Sequence, residues 1–199
     1  MSEIKHKGLV VPWVAIWSSE IPDPSDHPLA LDHKTNTLRY LDERPLDRDN
    51  MGTLWNRAGL ARGVGEPVFG EVHSYRQRAC MTVPRCQVCG HRMERITFLL
   101  THSKEHVESN VFTTGTPPTC ESCKDVAIKQ CPHLRNNTDR LYWVVPTDVR
   151  IWGYWGDVAL GDSQWNRHQL VSVVDPRRHQ LLAKQLVVGI QEYVETPVG

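Results

Sequence analysis

Two pairs of cysteines constrain the fold of this chain more than any other feature. Cys86-Gln-Val-Cys89 is followed directly by Gly90, and Cys120-Glu-Ser-Cys123 comes after a further 30 residues. Two CxxC pairs at that separation can close around one metal ion with four thiolates at the corners of a tetrahedron. Zinc is the ion the spacing points to, and a rubredoxin-like iron site uses the same donors. A disulfide framework is the least favoured reading, because thiols paired at metal spacing suit a reducing compartment. The chain has six cysteines. Cys131 falls almost on the helical stripe of Cys120 but about 16 Å further along it, too far to share one tetrahedron. It is expected to pack as a small apolar residue. A second metal site built from Cys80, Cys131 and His133 is the alternative use of these leftovers.

At 199 residues, with 40% apolar and 23% charged residues, the chain can bury a substantial core. Thirteen prolines and thirteen glycines favour turns and short strands over long helices. No run approaches the ~20 apolar residues of a membrane span. Gly8 to Trp17 follows two lysines, but Pro12 and two tryptophans interrupt it and no clean cleavage site follows. The expectation is a cytoplasmic protein without membrane contact. Formal net charge is zero, yet between residues 76 and 104 six bases (Arg76, Arg78, Arg85, Arg92, Arg95, Lys104) face one acid, Glu94. This basic island surrounds the first cysteine pair, and Tyr75 stands beside it. Arginine suits phosphate and an aromatic ring can stack on a base, so Tyr75, Arg76, Arg78, Arg85, Arg92 and Arg95 are candidate nucleic-acid contacts. The plainer alternative is that these arginines coat a small finger and pair with its acidic flanks.

The pattern predicts an α+β fold of short, mostly antiparallel strands. Residues 8–18 read as a buried strand, 20–36 as a surface loop, 38–41 as a short strand and 42–70 as turn-rich. Residues 95–101 and 111–114 are β-prone and predict a hairpin with a polar tip. Thr119 is a natural N-cap for a helix from Cys120 to about Cys131, which Pro132 should end. Residues 141–145, 149–155 and 169–174 read as strands. Asp175-Pro176 reads as a helix start, and Leu182, Leu186, Ile190 and Tyr193 form a stripe that predicts a C-terminal amphipathic helix. Three regions emerge: an N-terminal β/loop-rich region (1–74), a finger (75–135), and C-terminal strands plus helix (136–199).

The order of knuckle, hairpin and helix carrying the second pair resembles the treble-clef zinc finger superfamily. Cys86, Cys89 and Gly90 match its knuckle, and Cys120 and Cys123 match the first turn of its helix. The resemblance covers about a fifth of the chain. It implies one structural zinc and leaves function open, since that fold serves nucleases, ribosomal proteins, ubiquitin ligases and inert supports. His102, His106 and Asn110 lie between the pairs and invite comparison with His-Asn-His nucleases. That family has an Asp-His type doublet and an Asn close to the second CxxC. Here no Asp precedes either histidine, and Asn110 lies ten residues before Cys120.

Other catalytic signatures are thin. Asp47-Arg-Asp49-Asn-Met51-Gly52 echoes a calcium loop, but Met51 replaces an oxygen ligand, so a turn is the expectation. Asp157 and Asp162 read as solvated loop carboxylates. Four of the seven tryptophans (Trp143, Trp152, Trp155, Trp165) fall in the last third. Residues 149–155 are bulky on both faces of a strand, which means a sandwiched strand or, alternatively, a surface at Trp152 and Tyr154 for a protein partner or a homodimer. The reading favoured by all of this is a zinc-stabilised, non-catalytic binding module acting through protein or nucleic-acid contacts. Its alternatives are a metal-dependent nuclease using His102, His106 and Asn110, and a small-molecule enzyme with a Trp-rich pocket.

Overall fold

The computed structural model describes residues 3–101, 107–108, 111–161 and 163–198. The chain is mixed α+β and mostly strand. Its spine is a ribbon of two long antiparallel strands, β11 (Leu141–Ala159) and β13 (Leu181–Pro197). Both are rich in β-branched and aromatic residues, which fit a pleated surface. Shifts of register around Pro146, Ile151 and Trp155 bend the ribbon. Different strands flank its two ends. At one end β8 (Phe98–Thr101) pairs with β11, and β10 (Val111–Thr114) pairs with β13. β9 (Val107–Glu108) adds to β10. At the other end β12 (Trp165–Ser172) lies along β11, and the short β6 (Leu54–Trp55) runs parallel to β13. Among the described residues these make a seven-stranded sheet. No helix among them is long and apolar enough to cross a membrane.

Four expectations fail here, one of them the loop over 20–36, which contains the strand Leu29–Asp32. The C-terminal helix is a strand. Leu182, Leu186 and Ile190 recur every four residues, a spacing that places them on one side of a helix and equally on one face of a strand. Residues 186–190 are buried without interruption, as a strand needs when neighbours cover both faces. Asp175-Pro176 does start helical geometry, but only the 3₁₀ turn Pro176–Gln180. The expected hairpin is also absent, because β8 and β10 sit on opposite sides of the β11–β13 ribbon. Finally, the buried strand over 8–18 is split into β2 (Leu9–Val10) and β3 (Ala15–Trp17) around Pro12 and Trp13. β2 pairs with β1 (Lys5–His6), and β3 with β7 (Pro67–Val72). β4 (Leu29–Asp32) and β5 (Thr37–Tyr40) form a further hairpin.

Helix α1 (Ser74–Thr82) lies against β13. Its buried positions are Ser74, Arg76, Gln77 and Cys80, so it shows no apolar stripe. Gln77 explains the docking. Its Nε2 donates to the carbonyls of Leu186 (2.8 Å) and Gly115 (2.9 Å), and its Oε1 accepts the Leu186 N–H at 2.8 Å. Leu186 lies between the stretches of β13 covered by β6 and β10. The Gln77 amide thus substitutes for one residue of a strand and satisfies a buried backbone. Met81 packs on both halves of the core, one built around Trp55, Tyr154, Leu181 and Leu186, the other around Phe98, Val144 and Ile190.

Close backbone approach requires Gly156. A Cβ there would lie 2.3 Å from the Leu182 carbonyl oxygen and 2.9 Å from the Ala183 Cα. Gly156→Ala should therefore push β11 and β13 apart and cost at least the ~1–3 kcal/mol of ordinary overpacking. Urea unfolding monitored by tryptophan fluorescence measures it.

Candidate metal centre

The first cysteine pair sits on a knuckle closed by two backbone hydrogen bonds of its own. The Cys86 N–H donates to the His91 carbonyl at 3.0 Å, and the Gly90 N–H to the Cys86 carbonyl at 2.8 Å. Gly90 has φ +72°, the left-handed region that a Cβ disfavours. The Val88 N–H points at Cys86 Sγ from 3.4 Å. The second pair is delivered by helix α2 (Glu121–Gln130), with Cys120 as its N-cap and Cys123 in its first turn. The cap falls one residue later than Thr119, because Thr119 is engaged elsewhere. Its N–H donates to the Thr97 carbonyl (2.9 Å), and its carbonyl accepts from Thr97 Oγ1 (2.6 Å). The helix ends at Cys131, and Pro132 opens the short α3 (Pro132–Arg135).

Gln87, between the first two cysteines, ties the two segments together. Its N–H donates to the Pro118 carbonyl (2.7 Å), and its side chain donates to the Pro117 carbonyl (2.8 Å) and to Thr119 Oγ1 (2.9 Å). The sulfurs of Cys86, Cys89, Cys120 and Cys123 all lie within 4.8 Å of one another. The Cys89–Cys120 separation is 3.8 Å. A tetrahedron with Zn–S bonds of about 2.3 Å has edges of about 3.8 Å, so the donors fit a zinc-sized ion.

The electrostatics call for a cation. Burial pushes the Cys86 thiol up to about 11. Burial also raises Cys123, and the charges of Cys86 and Cys120 raise it further. Burial works against Cys120 as well, but hydrogen bonds from the Ser122 hydroxyl, Cys86 and Cys123 outweigh it and bring it down to about 7. Four crowded sulfurs cannot all ionise beside one another unless a positive charge sits among them. Cys80 is fully buried in α1 and pushed up to about 12, chiefly by burial. Cys131 caps α2. Neither joins the four sulfurs.

Comparison with family models, with curated proteins and with solved structures finds no match.

The basic island divides. Arg76 is buried, and both guanidinium nitrogens Nη1 and Nη2 are paired with the buried Glu20 carboxylate, at 2.7 and 2.6 Å. It is not available to an external partner. Arg78 lies over the Trp55 ring at 4.6 Å and near Tyr75 at 5.9 Å. Arg85 lies 5.9 Å from the Trp13 ring and donates to the Gly90 carbonyl. Tyr75, Arg92 and Arg95 are exposed. Of the suggested partner surface, Tyr154 is fully buried with its ring edge-on to Trp55, and Trp152 is half-buried. Tyr154 therefore belongs to the core. Asp157 is also buried rather than solvated, held by Arg167 (2.6 Å) and Lys184 (2.9 Å). The calcium-like segment is a turn: Asp49 Oδ1 accepts the N–H groups of Met51 and Thr53. His102, His106, Asn110 and Asp162 lie outside the described residues.

A groove of about 700 Å³ opens beside the knuckle. Trp13, Met51, Tyr75, Arg78, Arg85 and Ile151 are among its lining residues. The sequence marked neither Trp13 nor Met51 as a binding residue, Met51 entering only as a mismatch to a calcium loop. The signal for Trp13 was slight, a tryptophan after a proline that breaks a β-prone run. The knuckle fixes Trp13 directly, since the Trp13 N–H donates to the Val88 carbonyl at 2.9 Å and the Val14 N–H to the Gln87 carbonyl at 3.1 Å.

Proposed function

We propose that this chain is a metal-scaffolded, non-catalytic binding module with one zinc ion held by Cys86, Cys89, Cys120 and Cys123. The supporting observation is the convergence of four sulfurs within 4.8 Å of one another. Four thiolates complete the coordination shell of zinc, so the ion has no position left for water or substrate. Its work is to clamp α2 onto the knuckle, and through Val88 and Gln87 to hold the Trp13 side of the groove. A treble-clef-like arrangement of knuckle and helix is part of this reading, with the intervening strands handed to the main sheet. A reducing cytoplasm suits thiolates kept for metal.

Elemental analysis of freshly purified chain tests it. About one zinc per chain is expected, with no visible colour. Cobalt exchange should add strong thiolate-to-metal absorption in the near ultraviolet and tetrahedral bands in the visible. A metal-free chain with an unchanged fold, or a second tightly bound equivalent, would overturn the single-site reading.

A further inference from the structure

We propose that the groove beside the knuckle binds single-stranded nucleic acid, with bases stacking on Tyr75 and Trp13 and phosphates meeting Arg78 and Arg85. The inference rests on the reading of the chain as a binding module and names its ligand and its site.

Three observations carry it. The groove leaves large apolar groups to solvent: Tyr75 is 56% exposed, Ile151 45% and Met51 41%. Apolar surface clustered at a concavity marks a binding site more often than does the same surface scattered singly. Second, among the described residues two of the three lining arginines lack carboxylate partners, Arg48 being paired with Glu43 at 2.8 Å. Among the described residues neither Arg78 nor Arg85 forms an ion pair. The acid on the lining, Asp49, is occupied by the N–H groups of Met51 and Thr53 and by the Trp55 indole N–H at 3.1 Å. Trp55 and Tyr75 hold the Arg78 guanidinium in place, and Arg85 gives one nitrogen to the Gly90 carbonyl, which leaves its other N–H groups for phosphate.

Third, the positive track leaves the groove. Arg85 pairs across the knuckle with Arg92 in an antiparallel bridge. Arg92 and Arg95 line a second hollow of about 380 Å³, shared with Glu94, Glu121 and Trp143. Arginines that continue from one hollow to the next match a chain of phosphates better than one nucleotide. The exposed Tyr75 ring and the half-buried Trp13 accept unstacked bases, which a duplex does not present.

Fluorescence anisotropy with labelled dT and U decamers tests this on the full, zinc-loaded chain at low salt. Saturable binding is expected, with quenching of tryptophan emission and affinity that falls steeply with salt. Tyr75→Ala, an exposed site, should weaken binding about tenfold or more. Arg92→Gln should lower the log–log salt slope by about one. Three results would overturn the proposal: a mononucleotide that competes as well as the decamer, a duplex that binds more tightly, or polyglutamate that displaces the decamer at equal charge. Equal binding by Tyr75→Ala would also overturn it. Metal content measured on the same sample separates the two readings. A zinc-loaded chain that ignores oligonucleotides leaves the scaffold standing and removes this ligand, whereas binding by a metal-free chain removes the scaffold.

Discussion

Cys86→Ser should abolish zinc binding and unravel the finger while leaving much of the β11–β13 ribbon paired. Helix α2 has no fully buried residue. The apolar cluster around the sulfurs is small, with only Val10, Cys86 and Val88 buried and Met93, Val126 and Ala127 partly covered. So little apolar burial cannot offset the ordering of a helix and a knuckle. Metal binding supplies the difference. Structural zinc contributes on the order of 10 kcal/mol near neutral pH, comparable with the ~5–15 kcal/mol that holds a typical domain together. The sheet has its own cores around Tyr154 and Phe98. Hydrogen exchange should therefore show fast amides in α2 and the knuckle, and slow ones in the middle of β11 and β13. Unfolding of the finger should also release Trp13 from the Val88 carbonyl and disturb the groove. Slow exchange in α2 of Cys86→Ser would show that packing alone holds the finger and that the metal is secondary. Acid should mimic the substitution in the wild-type chain, because protons compete with the metal for thiolates.

The four-cysteine cluster was legible because ligand spacing survives any arrangement of the surrounding strands. Two CxxC pairs, a glycine after the second sulfur and a helix carrying the second pair are local features, and each appears at its place, with only the cap shifted from Thr119 to Cys120. The turn at Asp49 was legible for the same reason. Pairing was not local. Residues 95–101 and 111–114 read as β-prone and hold strands at 98–101 and 111–114, but which strands they join depends on the ribbon, whose C-terminal partner read as a helix. A four-residue repeat does not separate the two periods. The β-branched run around Val187, Val188 and Ile190 was the better guide. The groove was not legible because its residues come from five separated stretches, represented by Trp13, Met51, Tyr75, Ile151 and Leu186. Arg76 misled in the opposite direction. Its partner, Glu20, is 56 residues away, and nothing in a basic run marks one member as buried.

That buried pair carries the second large effect. Glu20 is fully buried, and the Arg76 side chain is 5% exposed. The two form a bidentate fork, with Arg76 Nη2 also donating to the Ala15 carbonyl (2.7 Å) and the Trp17 N–H donating to Glu20 Oε2 (2.9 Å). The fork pins helix α1 to the turn after β3. Arg76→Met leaves a carboxylate buried without its countercharge, which costs about 3–5 kcal/mol. In a chain of this size that lowers Tm by on the order of 10 °C. The pH dependence identifies the cause. In the wild-type chain burial acts to raise Glu20, but hydrogen bonds from Arg76 and the Trp17 N–H and the Arg76 charge outweigh it, leaving Glu20 below its ordinary range. Its contribution is therefore present above the unfolded carboxyl pKa of about 4.3 and lost as pH falls through the lower folded value. His73, held low by burial despite its bond to the Gly59 carbonyl, adds a loss that begins below its unfolded pKa of about 6.5. In Arg76→Met the sign at Glu20 reverses. Burial now raises its pKa, so protonation relieves the strain and the gap to wild type should narrow between pH 7 and 5. The double change Glu20→Gln, Arg76→Met should recover much of the loss at pH 7 and leave the gap nearly independent of pH over that range. A constant gap for the single variant would show that Arg76 acts by packing rather than by charge.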